Sequence, residues 1–109
     1  MQVELRTVNT DTAEVLRGYV ERRLRFALGR IGEGIGPVSV TVSRDARGEA
    51  TCRISSNIVP FGHVGVRETD PDLFIAIDRA TGRVGRLFVR KLQRSREART
   101  GRESVRVAV

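Results

Sequence analysis

The residues of this 109-residue chain best suited to covalent chemistry are its single cysteine, Cys52, and its single histidine, His63. A thiol and an imidazole make a catalytic pair only when they meet beside a third group that orients the base. Apolar alternation around Cys52 puts it on the inner side of an expected strand, and His63 follows a turn glycine, Gly62. Both read as scaffold. Two such ligands also fall short of a tetrahedral metal site, so neither a metal nor any other cofactor is expected. The carboxylates Asp70, Asp72 and Asp78 gather at the start of an expected helix, where the helix dipole favours negative charge. The glycine-rich run from Gly32 to Gly36 follows a helix and precedes a strand, the reverse of what a phosphate loop requires. An enzyme is not expected, nor a small-molecule substrate.

The arginines carry a different chemistry. Wound as a helix at about 100° per residue, the stretch from Leu73 to Arg94 separates into two neighbouring stripes. Leu73, Ile77, Ala80, Val84, Leu87 and Phe88 form an apolar stripe that can close a core. Arg79, Arg83, Arg86, Arg90 and Arg94 form a second column, with Lys91 beside it. From Arg79 to Arg99 there are seven Arg, one Lys and one acid, Glu97, a net charge of +7 that equals the net charge of the whole chain. Like charges four residues apart on a helix repel by a few tenths of a kcal/mol per pair. Folding alone does not favour such a column, and a polyanion laid along it would remove the repulsion.

Composition sets the frame. The length suits one domain with one core, and 30% charged residues with 39% apolar ones describe a globular chain rather than a disordered one. No apolar run approaches the ~20 residues of a membrane span, and the Met1–Arg6 start lacks a signal-peptide core. The single cysteine suits a reducing cytoplasm. A net charge of +7 points to an anionic partner. An anionic membrane is not expected, because the basic helix keeps no free apolar face once its core stripe is buried. All but one of the 20 basic residues are arginine, which suits bidentate phosphate contacts, although a GC-rich genome produces the same bias.

These groups need elements to hold them. Val3 and Leu5 alternate with polar residues in a short first strand. Asp11 and Glu14 resemble a capping box for a helix to about Leu28, with Leu16, Val20, Leu24 and Ala27 as its buried face. That helix carries Arg22 and Arg23. Gly29 to Pro37 reads as a flexible loop. Val38, Val40 and Val42 mark a second strand, Asp45 to Gly48 a turn, and Cys52, Ile54, Ser56 and Ile58 the inner side of a third. Pro60-Phe61-Gly62 turns into a short strand with Val64, Val66 and Glu68. Asp70 is expected to cap the second helix, with Pro71 at its first position and Asp72 in its first turn. The order β-α-β-β-β-α gives an α+β fold in two layers, an amphipathic helix pair burying the apolar face of a sheet.

Gly82 and Gly85 interrupt the second helix, each at roughly 1 kcal/mol relative to alanine, and are placed on its outer side. They mark either a close approach to the backbone or a kink. The domain is taken as residues 1–94. Residues 95–109 form a basic tail that ends in alternating Val105, Val107 and Val109; it is expected to be flexible, with an edge strand as the alternative.

The sequence resembles the ribosome hibernation factors, the family of ribosome-associated inhibitors and hibernation-promoting factors also called sigma-54 modulation proteins. Leu16-Arg17-Gly18-Tyr19-Val20-Glu21-Arg22-Arg23-Leu24 is similar to the family's L-R-x-Y-V-E-K-K-L. Asp72-Leu73-Phe74-Ile75-Ala76-Ile77-Asp78 is similar to its D-M-Y-A-A-I-D and runs into a basic stretch. The likeness covers about residues 1 to 94, the short form without the C-terminal dimerisation domain. It implies a four-stranded sheet with two helices packed on one face. It also implies binding to small-subunit ribosomal RNA at the decoding region, where tRNA and mRNA are blocked. By the same resemblance Arg22 and Arg23 occupy the paired-lysine positions that face RNA, and Arg83, Arg86, Arg90 and Lys91 lie in the basic stretch. Gly82, Gly85, Arg79 and the Phe26-Ala27-Leu28-Gly29 run depart from the family pattern.

The RNA-binding set is therefore Arg22, Arg23, Arg79, Arg83, Arg86, Arg90, Lys91 and Arg94. If the helices lie side by side, both basic sets border one groove, and a groove of one sign focuses potential. Five aromatics, Tyr19, Phe26, Phe61, Phe74 and Phe88, are too few for an RNA-recognition sheet, so backbone and shape recognition is expected. The alternatives are a module for free duplex RNA and a regulator whose basic helix docks an acidic protein.

Overall fold

Four strands form one sheet in the order β1-β2-β3-β4, built from Val3–Val8, Val38–Arg44, Ala50–Ile58 and Gly62–Asp70. Helix α1 is Ala13–Leu28 and helix α2 is Leu73–Ala108. The computed structural model describes residues 2–10, 13–29, 35–58 and 62–108, with the side chains of 13, 58, 92 and 95–108 left aside. The Asp11 half of the expected capping box, most of the glycine loop (30–34) and the Pro60-Phe61 turn lie outside the described residues.

Val3 pairs with Val38 in a parallel ladder, so the chain must cross over between β1 and β2, and α1 is that crossover. The other two ladders are antiparallel, Val40 with Ile54 and Ile54 with Val66. Between β2 and β3 the Asp45 carboxylate accepts from the backbone N–H of Arg47 and of Glu49, both at 2.9 Å, and Gly48 supplies the positive φ of +87° that closes the turn.

Period-two alternation sends Val38, Val40, Val42, Cys52, Ile54, Val64 and Val66 to one face, where they are buried. Both helices cover that face: Leu16, Val20, Leu24 and Leu28 from α1, and Leu73, Ala76, Ile77, Ala80, Val84 and Phe88 from α2. Leu28 closes the α1 stripe where Ala27 was expected, and Ala27 is half-buried toward α2. Ser56 extends the inner row of β3, its hydroxyl donating to the carbonyl of Pro37 at 3.1 Å.

Two further differences concern α2. Its cap is Asp72, not Asp70. The Asp72 carboxylate accepts from the N–H of Phe74 at 2.9 Å, and its carbonyl accepts the first helical bond from Ala76. Asp70 sits one step earlier and accepts from the Asp72 N–H at 2.8 Å. The helix also does not end near Arg94. Residues 95–108 continue it in place of the edge strand considered for the valines, since no proline after Pro71 forces a stop.

Candidate nucleic-acid interface

The arginine column is a ridge on α2 with two different flanks. On the β4 side its first members find acids. Arg79 Nη1 lies 3.2 Å from Asp70 Oδ1, and Arg83 Nη1 lies 3.3 Å from Glu68 Oε1. The expectation of a column unbalanced by carboxylate is corrected here: the compensating acids come from β4, which the helix's own sequence does not reveal. Both pairs are largely exposed, and such pairs contribute only about 0–1 kcal/mol. Lys91 Nζ donates to the carbonyl of His63 at 3.3 Å.

Farther along, the ridge meets no acid among the described side chains: none lies within ion-pair distance of Arg86, Arg90 or Arg94, and all three are exposed. Arg86 and Arg90 stand on the flank that faces α1. Across from them Arg23 lies on α1, and the three border one groove, as side-by-side helices were expected to allow. Arg22 is exposed on α1 outside the groove lining.

Gly85 sets the closeness of the two helices. It is buried, and a Cβ on it would stand 3.1 Å from the Ala27 Cβ and 3.2 Å from the Ala27 carbonyl oxygen. The expected outer-side placement is wrong for this glycine, and of the two causes considered, close approach is the one found. The groove above has a volume of about 480 Å³, and Phe26, Ala27, Thr81, Gly82, Gly85 and Val89 complete its lining. Phe26 and Val89 were not singled out as site residues. The available signal was position, since Phe26 falls off the Leu16-Val20-Leu24-Leu28 stripe and yet is aromatic.

One polar cluster pins the helices. The Tyr19 hydroxyl donates to Asp78 Oδ1, Arg23 Nε lies 3.1 Å from the same oxygen as an ion pair, and the Tyr19 ring meets Phe74 edge-on with centroids 5.0 Å apart. The hydrogen bond to Asp78 raises the Tyr19 pKa above its usual value, with burial and the Asp78 charge adding to it. Asp78 thus orients Arg23 at the groove. Cys52 lies inside the core, where burial pushes its thiol up to about 12. Among the described residues no group of three or more His, Cys, Asp or Glu could hold a metal, and no helix is long and apolar enough to cross a membrane.

No protein-family profile and no curated protein matches the chain. Solved structures do. The N-terminal domain of Protein Y from Thermus thermophilus superposes with a TM-score of 0.69 at 28% identity, over 80% of this chain and 94% of that domain. A ribosomal subunit interface protein from Coxiella burnetii superposes with a TM-score of 0.71 at 12% identity, over 85% of this chain and 99% of the other, a likeness of fold alone. Sheet order and helix placement define an α+β domain of four strands and two helices, the fold of these structural neighbours. The family it resembles, in the motifs of both helices and in three dimensions, is that of the ribosome hibernation and sigma-54 modulation proteins.

Proposed function

We propose that this chain is a ribosome-binding translation inhibitor of the cytoplasm, with residues 1–94 as the binding domain and 95–109 as a basic extension. It contacts small-subunit ribosomal RNA in the decoding region and blocks tRNA and mRNA there. The observation that carries the reading is the ridge of Arg86, Arg90 and Arg94, exposed and without an acid partner among the described side chains, with Arg23 facing it across the groove. Arg22, Arg79, Arg83 and Lys91 surround that centre and add positive charge. The mechanism is phosphate neutralisation with release of counterions, followed by steric exclusion of the translation substrates. The name of the Coxiella burnetii neighbour, a ribosomal subunit interface protein, supports the choice of a ribosomal partner.

Sedimentation with purified small subunits across a salt series tests it. Binding should be tight at low salt and fall with a log–log slope that counts phosphate contacts. Equal affinity for free duplex RNA would favour the general duplex-binding alternative. Failure to co-sediment at low salt, with capture of an acidic protein from nuclease-treated lysate, would favour a protein partner.

A further inference from the structure

The groove between α1 and α2 joins two chemistries that phosphate binding alone does not need. Its rim carries the guanidinium groups of Arg23, Arg86 and Arg90. Its floor is backbone and methyl, because Gly82 and Gly85 lack side chains and Ala27 is short. Its lip is Phe26, the most exposed large apolar residue described at 86%, with Val89 opposite at 41%. An aromatic ring held in solvent contributes nothing to the core and offers a free face.

We propose that this groove takes an unpaired nucleobase of RNA, stacked on the Phe26 ring, while Arg23, Arg86 and Arg90 hold the flanking phosphates. The assignment rests on the RNA-binding reading above. An open groove with an exposed aromatic lip and cations along its rim fits a ligand that is itself planar, apolar on its faces and anionic at its edge, and a nucleotide is such a ligand. Bases within a duplex present no free face, so the partner is a loop or bulge whose base is splayed out. At Gly82 only the far end of the flexible Arg86 side chain covers the floor, so a base edge can approach the α2 backbone there. Continuity with Arg94 along the ridge then leads the strand onward.

The test uses the full chain carrying F26A or F26W. Phe26 is exposed, so both variants should melt like the parent. Against purified small subunits, F26A should bind about tenfold more weakly at every salt concentration, with the salt slope unchanged, because stacking releases no counterions. Trp emission of F26W should be quenched by hexaadenylate and not by inorganic polyphosphate of equal charge. Unchanged affinity of F26A overturns the groove assignment and leaves ribosome binding intact. Equal quenching by polyphosphate or by polyglutamate overturns it too, as does an emission change with protein concentration alone, which would mark a second copy as the occupant. Absence of parent binding at low salt removes the underlying reading and the groove assignment with it.

Discussion

Ala27 on α1 stands so close to Gly85 on α2 that a single methyl group would not fit between them without movement, the gap to its Cβ being 3.1 Å and to its carbonyl oxygen 3.2 Å. Gly82, one turn earlier, meets only the far end of the Arg86 side chain, at 3.4 Å. Two mid-helix glycines of equal intrinsic penalty therefore have opposite roles. G82A should gain the usual helix-propensity benefit of about 1 kcal/mol. G85A gains the same benefit but forces α1 away, and overpacking of this kind costs about 1–3 kcal/mol. Thermal melts should place G82A above the parent and G85A at or below it. An equal rise in both would mean that α1 yields freely at Ala27.

The ridge should not act as one block. Arg83 already faces Glu68 at 3.3 Å, so a phosphate must compete with that carboxylate. R86A and R90A should each lower the salt slope of ribosome binding by about 0.7–0.9, and R83A by less. E68Q frees Arg83 and should tighten binding modestly. Equal slopes for all three arginine variants would show that the Glu68 pair has no weight in solution.

Much of this arrangement can be read from period alone. The valines of β2 and the Cys52-Ile54-Ser56 row fixed the sheet's inner face because strand alternation leaves little choice. The apolar stripes of both helices followed from a 3.6-residue repeat, with Leu28 in place of Ala27 as the error of one position at a helix end. Helical periodicity says which residues share a face, not what stands opposite. Asp70 is nine residues from Arg79, Glu68 fifteen from Arg83, and Asp78 fifty-nine from Tyr19. Glu68 and Asp70 come from the packing of α2 on β4, and Tyr19 reaches Asp78 through the packing of α2 on α1, so reading each helix by itself does not reveal these pairings. Gly85 was misplaced for the same reason: a glycine's outward angle on a wheel hides a neighbouring helix.

Cys52 is fully buried, and its thiol is pushed up from 9.0 to about 12 by burial. The thiolate is the reacting species. At pH 8 the folded protein should react with iodoacetamide at least about a hundredfold more slowly than the chain in urea. Mass spectrometry of timed samples reads the ratio directly. Rapid labelling of native protein would mean that β3 opens readily beneath the helices.

Tyr19 gives the fold an alkaline limit. Its hydroxyl donates to Asp78, so the neutral phenol is held in the folded state and its pKa lies above the usual 10.0. An unfolded chain ionises near 10, before the folded one, and binds fewer protons through that window. Stability therefore stays whole below about pH 10 and falls as pH rises through the raised folded value. Cys52 begins a similar fall from about pH 9, common to parent and variant. Y19F keeps the edge contact with Phe74 but has no proton to lose. Its melting temperature should be lower than the parent's at pH 8, where the hydrogen bond is missing, and should decline less steeply between pH 10 and 11. The two chains differ by one oxygen atom, so the difference between the two curves isolates this hydroxyl. Parallel curves would show that Asp78 holds Arg23 alone and that the Tyr19 bond does not tie the helices.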